Sequence, residues 1–108
     1  MNFNINEVVT EMLSAVKDTV SDNWAEVKST MNQFVQRRKE RFALLADLRI
    51  SGELSQEKFE SRLEDEKLIL EAELNAITVI TKAIAQKASN AAVEILEKAV
   101  KLAIGAVL

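Results

Sequence analysis

The sequence predicts an all-α fold, and three observations support that prediction. The chain has no proline and only two glycines, Gly52 and Gly105, so residues that break helices are confined to two places. Apolar residues recur at steps of three and four on both sides of Gly52, as in amphipathic helices. The residues around Gly52 are typical of a turn between helices. We therefore predict one domain over residues 1–108, a long antiparallel helical hairpin with arm one at 4–50, a turn at 51–55 and arm two at 56–106.

Arm one has a single apolar stripe that begins at Ile5 and ends at Leu48. Its other members are Val9, Met12, Val16, Val20, Trp24, Val27, Met31, Phe34, Phe42 and Leu45. The stripe keeps its phase through residues 21–23, which favours a helix that is continuous or only kinked there. The alternative is that Asn23, with Glu26 three residues later, caps a second helix.

Gly52 and Ser55 mark the turn and the start of arm two. Glycine can adopt the left-handed conformation that ends a helix at little steric cost. Ser55 can accept a backbone N–H as an N-cap, and Glu57 places an acidic group in the first turn, where the helix dipole favours negative charge. The apolar stripe of arm two then includes a set of residues spaced by seven: Leu63, Leu70, Ile77, Ile84 and Ala91.

Folding the arms together about Gly52 sets mostly apolar residues opposite one another. The pairs include Leu45 with Phe59, Phe34 with Leu70, Val27 with Ile77, Met12 with Val93 and Val9 with Leu96. The same register brings a basic group near an acidic group: Arg38, Lys39 and Arg41 near Glu64, Asp65 and Glu66. We expect this charge match to disfavour slipped alignments, although each exposed pair contributes only about 0 to 1 kcal/mol. This structural role is favoured over nucleic-acid binding, because no extended basic surface accompanies the basic run.

Beyond Ile77, arm two is too apolar for one partner helix to cover it. We expect a second copy to supply the cover, so that two hairpins form a four-helix bundle and the chain is a homo-oligomer, with a dimer favoured. The predicted oligomer interface is Ile77, Ile80, Ile84, Ala88, Ala91, Ile95 and Leu102.

Two other ways of covering this apolar surface stay open. One is a compact three- or four-helix monomer with breaks at 21–23 and 88–90. The other is a lipid surface or a larger protein partner that meets the apolar tail over 99–108. Length separates the possibilities, because an extended hairpin would measure about 70 Å at 1.5 Å per residue and a folded-over monomer about half that.

Composition excludes much of enzyme chemistry. The chain has no cysteine, histidine or tyrosine, so disulfides, histidine–metal sites and Ser-His-Asp or Cys-His catalysis are impossible within one chain. We expect no catalytic residue, no cofactor and no metal. Glu66 and Glu73 share one side of arm two, but no loop supplies the further oxygens that a hard cation takes.

The charge and the N-terminal residues indicate the compartment. The net charge of −3 gives no overall attraction to nucleic acid. The first residues lack the basic start and apolar run of a secretion signal, and no uncharged apolar run is long enough to span a bilayer. We therefore expect a cytoplasmic protein.

The centre of the chain resembles a known short hairpin. Leu45, Leu48, Gly52, Leu54, Ser55, Glu57, Phe59 and Leu63 follow the pattern of the SHOCT (short C-terminal) family over residues 45–63. That resemblance implies a non-catalytic prokaryotic element that mediates oligomerisation. The chain departs from the family in that its motif is central and a long helical segment follows it.

Together these observations predict a non-enzymatic structural or protein–protein interaction module that self-associates through helix packing. Peripheral binding to a lipid surface through the apolar C-terminal arm is the alternative.

Overall fold

The computed structural model describes residues 3–107, with side chains up to residue 105. It contains four α-helices: α1 Ile5–Val20, α2 Trp24–Ile50, α3 Gln56–Asn75 and α4 Lys82–Val107. A turn of 3-10 helix, Ser21–Asn23, joins α1 to α2, and there is no strand within residues 3–107. The predicted all-α class and helix bundle are confirmed.

The four helices run up, down, up and down. One groove lies between the start of α1, at Phe3 and Val8, and the last turns of α4, at Ala103. A second groove brings the same part of α4 against Arg49 at the end of α2 and Gln56 at the start of α3. The starts of α1 and α3 therefore lie at the same end of the bundle as the ends of α2 and α4. Each helix contacts the two beside it, and α2 also contacts α4 across the diagonal.

The reversal between α2 and α3 occurs at residues 51–55. Gly52 adopts a φ of +86°, and the Leu54 N–H donates to the Leu48 carbonyl at 3.0 Å, which closes the end of α2. Ser55 begins α3, because its Oγ accepts the Lys58 N–H at 3.2 Å. The turn and the cap thus fall at the two positions that the sequence assigned to them, and α2 and α3 pack as neighbours.

The first arm is two helices, α1 and α2, and the chain reverses between them at residues 21–23, so the expectation of one continuous or only kinked helix is wrong. Ser21 adopts φ 50° and ψ −114°, a conformation that residues with a side chain rarely take. The alternative of a second helix that starts after Asn23 matches the structure, because α2 begins at Trp24, although the Asn23 side chain makes no capping hydrogen bond. The bend is sharp enough to send α2 back alongside α1.

The second arm is two helices, and the prediction of one helix over 56–106 is wrong. α3 ends at Asn75, and α4 begins only at Lys82. The segment 76–81 between them reverses the chain, so that α4 packs back on α3. The uninterrupted arm two expected from the seven-residue spacing is therefore absent.

The residues of segment 76–81 explain the break. Five successive β-branched residues occupy positions 77–81, and such side chains lose rotamer freedom in a helix. The Thr81 Oγ1 accepts the Ile84 N–H at 3.1 Å and so caps α4. Ile80 turns into the core, where only 6% of it is exposed. The β-branched run was the signal in the sequence that could have revealed this break.

The alternative break at 88–90 is also wrong, because these residues lie inside α4. Ser89 is fully buried, and its hydroxyl donates to the Ala85 carbonyl at 2.9 Å and reaches the Gln86 carbonyl at 3.1 Å. A serine that bonds its own preceding turn in this way is compatible with a continuous helix.

The predicted hairpin is thus bent double at 21–23 and 76–81. Its longest extent is 43 Å, so the expectation of about 70 Å for an extended hairpin is wrong for this chain. The 27 residues of α2 account for most of that length, about 40 Å at 1.5 Å per residue. The four-helix bundle expected from two copies is formed within one chain. This is the fold of the compact four-helix alternative, with its second break at 76–81 in place of 88–90.

α4 is packed against all three other helices. Several of its side chains have no exposed surface: Ala85, Ala88, Ser89, Ala92 and Leu96. Most of these are small, which allows neighbouring helices to approach closely. The apolar excess of arm two is therefore covered largely by the chain itself. No helix within residues 3–107 combines the length and the apolar character needed to cross a bilayer.

Candidate interaction surfaces

Glu66, on the inner face of α3, is a buried carboxylate that bonds two arginines of α2. Only 1% of the residue is exposed. Arg38 binds both carboxylate oxygens, with Nη2 donating to Oε1 at 2.6 Å and Nε donating to Oε2 at 2.9 Å. Arg41 donates from Nε to Oε1 at 3.0 Å. A bidentate arginine with a second donor is the arrangement that compensates a carboxylate for its loss of water.

Arg38 is held firmly in its charged form. Its hydrogen bond to Glu66 raises the pKa of the guanidinium, with the charges of Glu66 and Glu73 adding to this effect and partial burial opposing it. Arg37 extends the cluster toward solvent, because its Nη2 lies 2.6 Å from both oxygens of Glu73. These ion pairs join the middle of α2 to the middle of α3.

The structure brings together three of the six residues that the sequence assigned to the hairpin register: Arg38, Arg41 and Glu66. The other three do not join them. Glu64 accepts from Lys67 on its own helix at 3.1 Å, and Lys39 and Asp65 form no ion pair within residues 3–105.

Sequence reasoning missed the pair of Arg37 and Glu73. Glu73 lies seven residues after Glu66, which places both carboxylates on the same face of α3. That spacing could have identified Glu73 as a second acceptor for the basic run.

The basic run at 37–41 is largely engaged in pairing helices. Glu66 and Glu73 bind Arg37, Arg38 and Arg41, so these positive charges already face carboxylates of the same chain. This geometry gives the run a structural role within the chain. The same bonds occupy the two carboxylates that the sequence analysis weighed as cation ligands.

The seven residues predicted as an oligomer interface have different environments. Ile80 and Ala88 lie in the core, with 6% and 0% exposed, so a partner cannot reach them in this form. Four others are half-buried: Ile77, Ile84, Ala91 and Ile95. Leu102 is 66% exposed. The seven residues therefore do not form one exposed face of this chain, because Ile80 in segment 76–81 and Ala88 on α4 lie in the core.

Leu102 lies in an open groove between α1 and α4, named here the α1/α4 surface. Its residues are Phe3, Asn4, Glu7, Val8, Glu11, Ile95, Lys98, Ala99, Leu102 and Ala103. The middle of the surface is apolar, and the exposed side chains of Glu7 and Glu11 border it on α1. Lys98, also exposed, borders it on α4. The α1/α4 surface is therefore an apolar strip with an acidic edge and a basic edge.

Sequence reasoning identified Leu102 but missed the contribution of α1 to this surface. The signal was present, because Glu7 and Glu11 are four residues apart and share one face of a helix. The predicted pairing of Met12 with Val93 already placed this part of α1 beside the second half of α4.

The fold defines the chain as a member of the class of antiparallel four-helix bundles. No family model matches it, and searches of curated proteins and of solved structures found no match either. Its function is therefore argued from its geometry.

Proposed function

We propose that the protein is a non-enzymatic structural or protein–protein interaction module whose copies associate through helix packing at the α1/α4 surface. The observation that carries this proposal is the exposure of Leu102, 66% of which is open to solvent among other apolar groups. An apolar centre with a charged rim is the usual composition of a protein contact site. The resemblance of residues 45–63 to an oligomerising hairpin points the same way.

The charges at the edges of the surface favour a second copy as the partner. With a two-fold axis parallel to the helices, the edge of one copy that carries Glu7 and Glu11 faces the Lys98 edge of the other. Each exposed pair contributes only about 0 to 1 kcal/mol. Burial of an apolar side chain such as Leu102 contributes about 1.5–3 kcal/mol and so supplies more of the affinity. We expect a weak, reversible dimer.

The same edges disfavour the alternative of binding to a lipid surface. Lys98 borders the surface beside Leu102 and would attract anionic lipid. Glu7 and Glu11 border the same groove, and lipid phosphates would repel them. A protein surface with both signs of charge pairs with all three of these side chains.

Sedimentation equilibrium from micromolar to millimolar concentration tests the proposal. We expect wild-type protein to dimerise and Leu102→Glu to weaken the dimer at least tenfold, because it places a charge in the apolar strip. Leu68→Glu is the matched control, since Leu68 is 50% exposed on α3, outside the α1/α4 surface. A protein that stays monomeric throughout, or that floats with anionic vesicles through Leu102, would refute the proposal.

A further inference from the structure

The two bends that close the bundle interrupt apolar stripes that continue through them. Across 21–23, Val20, Trp24 and Val27 keep the three- and four-residue steps of one helix face. Across 76–81, Leu70, Ile77 and Ile84 keep the seven-residue spacing. Neither bend contains glycine or proline. Both arms therefore retain the pattern of a continuous helix.

The bends divide the bundle into two layers. The central hairpin consists of α2 and α3, which the turn at Gly52 and the ion pairs of Glu66 and Glu73 join. The outer pair consists of α1 and α4, whose mutual contact is the most extensive in the chain. Both bends lie at the end of the bundle opposite Gly52. If both straightened, each layer would keep its internal contacts and only the contacts between layers would be lost.

The closed form carries a local cost at the first bend, and only short-range bonds hold the second. Ser21 occupies a positive-φ conformation that is unfavourable for a residue with a side chain. Segment 76–81 is held by short-range bonds. The Ile77 N–H donates to the Leu74 carbonyl and the Ile80 N–H to the Ile77 carbonyl, both at 3.0 Å, while Thr81 accepts the Ile84 N–H through its hydroxyl and the Ala85 N–H through its carbonyl. A straightened arm would replace both features with ordinary helical hydrogen bonds.

We propose that the chain also adopts an open form with both bends straightened, and that two open chains exchange their outer pairs. The outer pair of each copy packs on the central hairpin of the other. The contacts between layers then re-form between copies. They are those of α1 with α2, α3 with α4, and α4 with α2. The partner is a second copy of this chain, because the face of α2 and α3 that receives the outer pair is already complementary to α1 and α4 in the closed chain.

The exchange goes beyond the proposed function and does not depend on it. The α1/α4 surface, with its exposed Leu102, is the side of the outer pair that faces away from the central hairpin. It is solvent-exposed in the closed chain and stays so after exchange. Leu102→Glu therefore leaves the exchanged dimer unchanged, whereas variants of the bends leave the contact at the α1/α4 surface unchanged.

Two substitutions in segment 76–81 shift the exchange in opposite directions. Thr78 follows Ile77 in the turn closed by Ile80, a position that proline favours, whereas proline breaks a continuous helix. Thr78→Pro is expected to weaken the exchanged dimer at least a hundredfold. Thr81→Ala removes the hydroxyl that caps α4 only in the closed form, and it is expected to strengthen the dimer about tenfold.

Cross-linking of mixed chains detects the exchange directly. Gln56 and Lys101 line one groove of the bundle, between α3 and α4. The chain has no cysteine, so Gln56→Cys and Lys101→Cys are made on separate chains, mixed at millimolar concentration, and treated with a short bismaleimide. We expect a covalent dimer that joins position 56 of one chain to position 101 of the other, as mass spectrometry identifies. Each single-cysteine chain alone is the control.

The outcomes are separable. Loss of the 56-to-101 product with Thr78→Pro and its increase with Thr81→Ala support the exchange, and circular dichroism checks that both variants keep their helix content. The exchange is overturned if the dimer gives no 56-to-101 product. It is also overturned if Thr78→Pro leaves the yield of that product unchanged. If that dimer dissociates with Leu102→Glu, the proposed function stands while the exchange fails. A chain that is monomeric at every concentration overturns both.

Discussion

The buried carboxylate of Glu66 determines how α2 and α3 align. Apolar stripes can slide along one another by a helical turn and still cover apolar surface. Glu66 does not tolerate such a shift, because it would leave the buried carboxylate oxygens without their hydrogen bonds to Arg38 and Arg41. An unpaired buried carboxylate costs more than the exposed pair of Arg37 and Glu73 can contribute. One buried charge thus selects the register among alignments that are similarly apolar.

Removal of that charge is expected to destabilise the bundle. Glu66→Gln keeps the shape but loses the charge-assisted bonds to both arginines, so we expect a loss of about 1–3 kcal/mol in the free energy of unfolding. Urea denaturation followed by circular dichroism measures it. Glu64→Gln is the control, since that side chain is 55% exposed, and it should change stability by less than about 0.5 kcal/mol. Equal effects of the two variants would contradict the role assigned to Glu66.

α4 has a buried face and an exposed face. One face, which includes Ala88 and Leu96, is fully buried against the rest of the chain. The opposite side carries Leu102 and Lys98 into the α1/α4 surface. The helix is apolar around most of its circumference because it contacts three helices.

Two leucines of α4 distinguish these faces. Leu96→Ala is expected to lower the free energy of unfolding by about 2–5 kcal/mol, because Leu96 has no exposed surface and truncation leaves a cavity. Leu102→Ala should cost less than about 0.5 kcal/mol in dilute, monomeric protein. Thermal or urea unfolding at micromolar concentration provides the comparison. A large loss for Leu102→Ala and a small one for Leu96→Ala would show that α4 packs with its other face inward.

Sequence reasoning predicted the helical class, the turn at Gly52, the cap at Ser55 and the pairing of Arg38 and Arg41 with Glu66, because these depend on local spacing and local chemistry. It favoured an unbroken first arm and gave the break at 21–23 only as the alternative. It failed at segment 76–81, where the seven-residue spacing of Ile77 and Ile84 indicates one helix and the β-branched run indicates a break. That choice depends on whether the apolar side of α4 finds cover within the chain or outside it. Local patterns do not contain this information. For the same reason they did not show that Glu7 and Glu11 lie beside α4 in the α1/α4 surface.

For the molecule as a whole, the reversals at 21–23 and 76–81 allow a short chain to bury a larger core. Two long helices side by side would leave most of their apolar surface in water, and a chain of 108 residues has little to spare. Folding the outer pair onto the central hairpin gives a bundle 43 Å long, with α4 against three neighbours. The bends at 21–23 and 76–81 are thus the features that turn an extended hairpin into a compact core.

A distance between Gln56 and Lys101 tests this doubling most directly. The chain has no cysteine, so Gln56→Cys and Lys101→Cys on one chain accept a spin-label pair for a pulsed dipolar measurement in dilute, monomeric protein. Both positions line one groove, and adjacent helix axes lie about 8–10 Å apart, so with flexible labels we expect roughly 10 to 25 Å. An unbroken second arm would separate them by roughly 68 Å, at about 1.5 Å per residue, and that result would contradict the bundle.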